Sequence, residues 1–343
     1  MVTRRTLAIL AFVLVVLVGI SLAQKLGHRR ATSRAASAVL IEGAYTAEAV
    51  GRIELGRGAD TRAVVLASGP DGWRVETAWG ARASRDRIDA LLSTLGGLAG
   101  EYRSDRRDVL SDYGLDDATA VTIRAFGRDG QPLFGLDVGG RPQGGMGNFV
   151  RRPGGDEVYL TGAGVLAQLG IYGEPALPVA RHFLDLQAVQ EDRVAVDAIR
   201  LRDASGAREY RKVFSVPAAA DSAALAAARH TWEWQAAPGT RGPAPAKSKV
   251  DAVLGSLVSV RATDLGDPAA PASVYGLDAP QREAALVMAD GREVVLEFGA
   301  DRPPEGDKPG GTWLRVRGNP SVWVATEYTV RNVFKSADEL KAD

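Results

Sequence analysis

Tyr113-Gly114-Leu115-Asp116 and Tyr275-Gly276-Leu277-Asp278 are the same four residues met twice in one chain, 162 positions apart. Their flanks match as well. Twenty-five residues before the first tyrosine stands Ile88-Asp89-Ala90-Leu91-Leu92, and twenty-five before the second stands Val250-Asp251-Ala252-Val253-Leu254. Both runs continue to a further leucine, Leu95 and Leu257. Apolar residues at i, i+3, i+4 and i+7 predict a helix of about three turns in each place.

Working outward, a tryptophan precedes each helix, Trp73 and Trp234. Before Trp73 come Ala63-Val64-Val65-Leu66 and the turn Ser68-Gly69-Pro70-Asp71-Gly72, a strand-turn-strand pattern. Before Trp234, Ile199-Arg200-Leu201-Arg202 leads through a turn at 203–206 into residues 209–214, another hairpin. After each tetrapeptide a second hairpin is expected, turning at Asp129-Gly130 or Asp290-Gly291, because Asp-Gly readily takes the positive φ angles of a tight turn. Gly139 and Gly299 end the return strands. Phe149-Val150-Arg151 and Trp313-Leu314-Arg315 come next, then Val158-Tyr159-Leu160 and Val322-Trp323-Val324, and apolar helical segments at 165–169 and 330–334.

The fold class predicted is therefore α+β: an N-terminal transmembrane helix followed by two copies of an antiparallel-sheet-plus-helix module. A period near 160 residues is far longer than a solenoid repeat and indicates domain duplication. The expected organisation is a signal anchor at 1–24, a juxtamembrane linker at 25–48, modules at 49–174 and 195–336 around a joint at 175–194, and a C-terminal tail at 337–343. Pro175 and Pro178 mark the joint. The second copy carries an alanine-rich insertion at 215–231, where Asp221 would cap a small helix, and a Pro/Gly/Ala-rich stretch at 237–247. Both read as surface loops.

The anchor reading rests on the run from Leu7 to Ala23, LAILAFVLVVLVGISLA. No residue from Thr6 to Gln24 is charged, and at 1.5 Å per residue this stretch reaches about 28 Å, close to a bilayer core. A retained signal anchor is preferred because the run exceeds a typical signal-peptide core; cleavage after Ser21-Leu22-Ala23 is the alternative. Arg4 and Arg5 lie on one side, and Lys25, Arg29, Arg30 and Arg34 on the other, so basic residues alone do not set the orientation. The soluble part is expected on the periplasmic side of a bacterial inner membrane, since amino-terminal signal sequences usually export the polypeptide attached to them. His28-Arg29-Arg30 reads either as a solvated linker or as a contact with anionic lipid.

The 343 residues are long enough for two cores. Forty-two basic residues balance forty-two acidic ones, so the broad positive field that draws proteins to nucleic acid is missing. There is no cysteine, which excludes disulfides, thiolate metal sites and cysteine nucleophiles. The tetrapeptide reads as structure: Gly114 and Gly276 permit a turn, the tyrosines and leucines anchor it, and Asp116 and Asp278 satisfy nearby backbone N–H groups. The glycine-rich stretch 139–155 lacks the Gly-Lys-Ser/Thr ending of a phosphate loop and reads as a hairpin loop. His28, His182 and His230 have no metal-ligand spacing. Asp116-Asp117 reads as a pair of turn acids, and Arg103, Arg106 and Arg107 as a solvated basic face. No catalytic residue, metal site or cofactor is expected.

With these pieces in order, the chain resembles the bacterial family called domain of unknown function 4340. The resemblance is carried by the anchor, Trp at a strand end, the short helix, Tyr-Gly-Leu-Asp, the Asp-Gly hairpin and the Val-Tyr-Leu strand. Arg181-His182-Phe183-Leu184-Asp185-Leu186 resembles the family's joint between copies. The resemblance implies a membrane-anchored envelope protein without an assigned reaction; with the anchor, the duplicated module and the missing catalytic constellation, the expectation is a noncatalytic, membrane-anchored extracytoplasmic accessory or scaffold protein. The resemblance also implies association with ABC-type transporter permease and ATPase subunits of the gliding-motility kind. The bilayer, contacted from Leu7 to Ala23, is the other expected partner. The alternative is a binding module for a glycan or small ligand, using the cleft between the copies or Trp232, Trp313 and Trp323 as exposed faces.

Overall fold

A computed structural model describes residues 37–215, 227–306 and 308–342. The anchor expected from Leu7 to Ala23, and the helix expected to begin at Asp221, lie outside the described residues. Among the described residues no helix is long and apolar enough to cross a membrane. The chain divides into two compact units, one ending at Asp185 and the other beginning at Leu186. Both are sheet-rich α+β structures, and every strand pairing is antiparallel.

The first unit runs β1 (Ser37–Val39), β2 (Val50–Arg57), β3 (Asp60–Gly69), β4 (Gly72–Val75), β5 (Ala81–Arg82), α1 (Arg85–Leu95), β6 (Ala99–Ser104), a 3-10 turn (Arg107–Tyr113), β7 (Val121–Gly127), β8 (Pro132–Val138), β9 (Asn148–Arg151), β10 (Val158–Thr161) and α2 (Val165–Gln168). Its strands lie in the order β1-β6-β10-β9-β8-β7-β2-β3-β4-β5. The second unit runs β11 (Gln187–Gln190), β12 (Val196–Asp203), β13 (Gly206–Phe214), β14 (Trp232–Ala236), α3 (Lys247–Val258), β15 (Ser259–Arg261), β16 (Asp264–Leu265), a 3-10 turn (Ala272–Tyr275), β17 (Arg282–Met288), β18 (Glu293–Arg302), β19 (Gly311–Val316), β20 (Val322–Ala325) and α4 (Glu327–Val333). Its sheet reads β16-β20-β19-β18-β17-β12-β13-β14, which repeats β6-β10-β9-β8-β7-β2-β3-β4 strand for strand.

The helices bury the faces their spacing predicts. Ile88, Leu91, Leu92 and Leu95 are inside on α1, and Val250, Val253, Leu254 and Leu257 on α3. Each such side chain contributes about 1.5–3 kcal/mol by leaving water. Two sequence expectations change, and one strand is added. Residues 37–48 are not linker: β1 pairs with β6, and Leu40 and Ile41 are buried. The strand β2 was not predicted, although its buried positions include Ile53 and Leu55. The tail also packs, with Leu340 only 1% exposed and Ala342 donating to the Ala244 carbonyl at 3.0 Å. An apolar side chain in each segment is the reason: it gains by burial against the sheet unit beside it.

Each tetrapeptide closes a 3-10 turn. Gly114 and Gly276 both sit at φ 65°, in the left-handed region that glycine enters without a Cβ penalty. Leu115 N–H returns to the Leu110 carbonyl and Leu277 N–H to that of Ala272, each at 2.9 Å, the hydrogen-bond pattern of a glycine-terminated helix end. The tyrosine carbonyl then faces the end of the return strand. A Cβ on Gly139 would lie 2.1 Å from the Tyr113 oxygen, and one on Gly299 would lie 2.1 Å from that of Tyr275. Leu115 packs with Leu110 and Val158, and Leu277 with Tyr275 and Val322. Tyr113 meets Phe149 at 4.7 Å, and Tyr275 meets Trp313 at 4.5 Å.

The two aspartates part company. Asp116 accepts from the backbone of Ala118 and Thr119 and from the Thr119 hydroxyl, which holds its carboxyl below the usual range. Asp278 is exposed and caps nothing among the described residues. The position equivalent to Ala118 is Pro280, which has no N–H to offer.

Candidate functional site: a buried cationic row in the second unit

The strand β13 reads Gly206-Ala-Arg-Glu-Tyr-Arg-Lys-Val-Phe214. Side chains alternate across a strand, so Arg208, Tyr210 and Lys212 share one face. That face is turned inward: all three are buried, whereas Arg211 is exposed. Cross-strand register locates their counterparts. Val64 pairs with Leu55, Leu66 with Ile53 and Ser68 with Trp73; Arg208 pairs with Leu201, Tyr210 with Ile199 and Lys212 with Trp234. Where the first unit buries two aliphatic side chains, the second carries an arginine and a tyrosine, with a buried lysine beyond them.

At one end of the row, Lys212 Nζ donates to the Arg193 carbonyl at 2.5 Å and lies 3.8 Å from the centre of the Trp232 ring. Lys247 and Arg193 stand 4.5 and 5.3 Å from the same ring. The indole N–H groups of Trp232 and Trp234 both donate to Asp251 Oδ1, at 3.0 and 2.9 Å. Lys247 Nζ reaches Asp251 Oδ2 at 3.2 Å, and Arg229 pairs with Asp197. Burial, aided by the Arg193 charge, lowers the Lys212 ammonium to about 8. Burial pushes the Asp251 carboxyl up, but hydrogen bonds from Trp234, Trp232 and Lys247 outweigh it and hold the group below its usual range. Asp89, at the matching place on α1, instead pairs with Arg85 on the surface.

At the other end, Arg208 faces a groove of about 800 Å³. Its two terminal nitrogens donate to Ser205 Oγ at 2.7 Å and to Asp203 Oδ2 at 2.6 Å, but its buried Nε–H has no partner among the described residues. Arg282 lies on the same face of the sheet, because Leu201 opposes both Arg208 and Ala284 and Arg282 is two residues before Ala284. Arg331 projects from α4. Among the described residues neither Arg282 nor Arg331 makes an ion pair. Arg302 is engaged by Asp264 at 2.8 Å. Of the four acids on the walls one is paired with an arginine and two accept from neutral donors. Asp203 holds Arg208, Asp301 accepts from Thr312 Oγ1, and Glu339 accepts from the Ser336 backbone and hydroxyl; Glu327 opens α4. Val330 of α4 and Phe334 just beyond it, with Pro303 and Pro304, supply apolar wall.

Neither Lys212 nor Arg208 stood out in the sequence. The signal present was the spacing of Arg208, Tyr210 and Lys212 at i, i+2 and i+4, with Trp232 and Trp234 at the same two-residue spacing beyond the alanine-rich insertion. The tryptophans offered as ligand platforms are covered instead: Trp232 is 6% and Trp323 5% exposed, and Trp313 is half-buried against Tyr275. Of the residues weighed for chemistry, Asp117 pairs with Arg151; Arg103, Arg106 and Arg107 pair with Glu101, Asp108 and Asp156. His182 approaches the Gln168 carbonyl at 3.1 Å and meets Phe183 edge-on, and burial lowers its pKa. Buried carboxylates hold each sheet at matching places. Asp137 on β8 takes Arg124 and Arg151, and Glu297 on β18 takes Arg315 and Arg317.

No curated protein and no solved structure is significantly similar to the chain. A family model does match, from residue 73 to residue 280, which is more than half of the 343 residues. The matched stretch begins at Trp73 in β4, passes through the first tetrapeptide and the cationic strand, and ends just beyond the second tetrapeptide. On that match the chain belongs to the family described as Domain of unknown function (DUF4340).

Proposed function

We propose that the chain is a noncatalytic, membrane-anchored accessory or scaffold protein of an ABC-type, gliding-motility-like transport assembly. In this reading both units lie on the periplasmic side of a bacterial inner membrane, tethered by the run from Leu7 to Ala23, and the second unit is the ligand-binding half. A noncatalytic role is supported by the use made of the repeated residues: the tetrapeptide glycines and leucines serve turns and cores in both units. The observation that carries ligand binding is Arg208. Its guanidinium, on a residue only 7% exposed, has an Nε–H left unpartnered beside two arginines without ion pairs among the described residues, and this favours an arriving anion.

The alternative, a glycan platform, is less well supported because sugars need open aromatic faces and those of Trp232 and Trp323 are covered. A small anionic ligand in the groove keeps the binding-module reading without them. Two measurements test the proposal. Cross-linking in intact membranes followed by purification in mild detergent should recover a permease and an ATPase with the chain; recovery of the chain alone refutes the accessory role. Calorimetry with acetate or inorganic phosphate should detect binding that Arg331→Gln weakens; silence with every anion refutes the ligand site.

A further inference from the structure

The groove at Arg208 is not uniformly polar. Its floor holds Arg208 and Arg282 on one face of the sheet. α4 contributes Arg331 and Val330 to its lining, and Phe334 follows at the helix end; Val330 is 7% exposed, while Phe334 is half-buried and rests edge-on against Phe298 at 5.1 Å. Pro303 and Pro304, both exposed, continue the apolar side. A volume of about 800 Å³ is within the range that holds a whole small ligand rather than a single ion. A free inorganic anion would satisfy the arginines and leave the wall formed by α4 and the prolines against water.

We infer that the groove takes an amphiphilic anion: one carboxylate or phosphate head on Arg208, Arg282 and Arg331, and an aliphatic body along Val330, Phe334, Pro303 and Pro304. This rests on the anion-binding reading above and adds the apolar body to it. The head replaces missing partners of the guanidinium groups, which form charge-assisted hydrogen bonds with either oxyanion. The body removes apolar surface from water, and each buried methylene strengthens binding by about a factor of four.

The test is a chain-length series on the full chain in neutral-lipid nanodiscs, by calorimetry. Acetate is compared with hexanoate, and inorganic phosphate with hexyl phosphate, which separates the two head groups. Arg331→Gln, an exposed position whose loss leaves the core untouched, serves as the control for partition into the lipid. The expected result is at least a tenfold gain from acetate to hexanoate or from phosphate to hexyl phosphate, with the affinity for the long members lowered by Arg331→Gln. Equal affinity for short and long members of both pairs overturns the amphiphile and leaves the anion site standing. Hexanoate and hexyl phosphate binding undiminished in Arg331→Gln assigns the effect to the bilayer and overturns the assignment to this groove. No heat with any of the four overturns both.

Discussion

Lys212 should make the stability of the second unit depend on pH in a window where ordinary lysines are silent. Its folded-state pKa is about 8 against an ordinary 10.5. Between those values the unfolded chain still holds the proton and the folded chain has released it. Stability therefore rises with pH across the window, with a limiting slope of about 1.4 kcal/mol per pH unit and a total of about 3 kcal/mol. Below pH 8 the charged, buried ammonium is a standing cost. It is offset in part by the Arg193 carbonyl and by the Trp232 ring 3.8 Å away, a contact typically contributing about 1–2 kcal/mol when desolvated. Lys212→Met keeps the length and apolar stem of the side chain and removes the titration. Urea unfolding at pH 7, 8, 9 and 10, followed by tryptophan emission, gives the comparison. The advantage of Lys212→Met over the parent should shrink by about 2–3 kcal/mol between pH 7 and 10. The neighbouring Tyr210, whose pKa burial raises, works in the opposite direction near pH 10, but it is present in both proteins and largely cancels. Parallel stability curves for the two proteins from pH 7 to 10 would show that the lysine titrates normally, and the reasoning from burial would fail.

The remaining predictions concern the frame around the site. Gly139→Ala and Gly299→Ala each push a methyl against a tyrosine carbonyl and should cost about 3 kcal/mol, whereas Gly173→Ala, with open space around it, should change the melting temperature little. Asp116→Ala should lose about 1 kcal/mol with its turn hydrogen bonds, and Asp278→Ala should stay within about 0.5 kcal/mol, although the two residues occupy the same place in the tetrapeptide. Asp137→Ala leaves Arg151, 4% exposed, without its inner carboxylate and should cost about 3–5 kcal/mol in urea unfolding. An equal loss for Asp278→Ala and Asp116→Ala would mean that the hydrogen bonds of Asp116 are worth nothing net.

Much of the frame is legible residue by residue because its causes are local. Apolar spacing at Ile88-Leu91-Leu92-Leu95 and Val250-Val253-Leu254-Leu257 is enough for α1 and α3, whose faces are set by 3.6 residues per turn. Asp129-Gly130 and Asp290-Gly291 make their hairpins through φ angles that glycine supplies within four residues, 78° at Gly130 and 85° at Gly291. The tetrapeptide announces a turn for the same reason. Other strands escaped such reading. β2 alternates, but Arg52 and Glu54 on its outer face pair with each other, so its polar pattern resembles a loop until β3 and β7 are laid beside it.

The candidate site belongs wholly to that second kind. From Ala207 to Lys212 the residues of β13 include charges on both alternating faces, so no hydrophobic face marks which side is inward. Pairing with β12 and β14 decides it, and sends Arg208 and Lys212 inside while Arg211 goes out. Only then does one cation meet two tryptophans held by Asp251, and the other an open groove under α4. Residue pattern alone determined helices, hairpins and turns, because short-range sterics and periodicity act within a few residues. Which charges are buried, and what they face, depends on partners up to about 120 residues away in the chain, from Arg208 to Arg331, and only the assembled sheet brings those together.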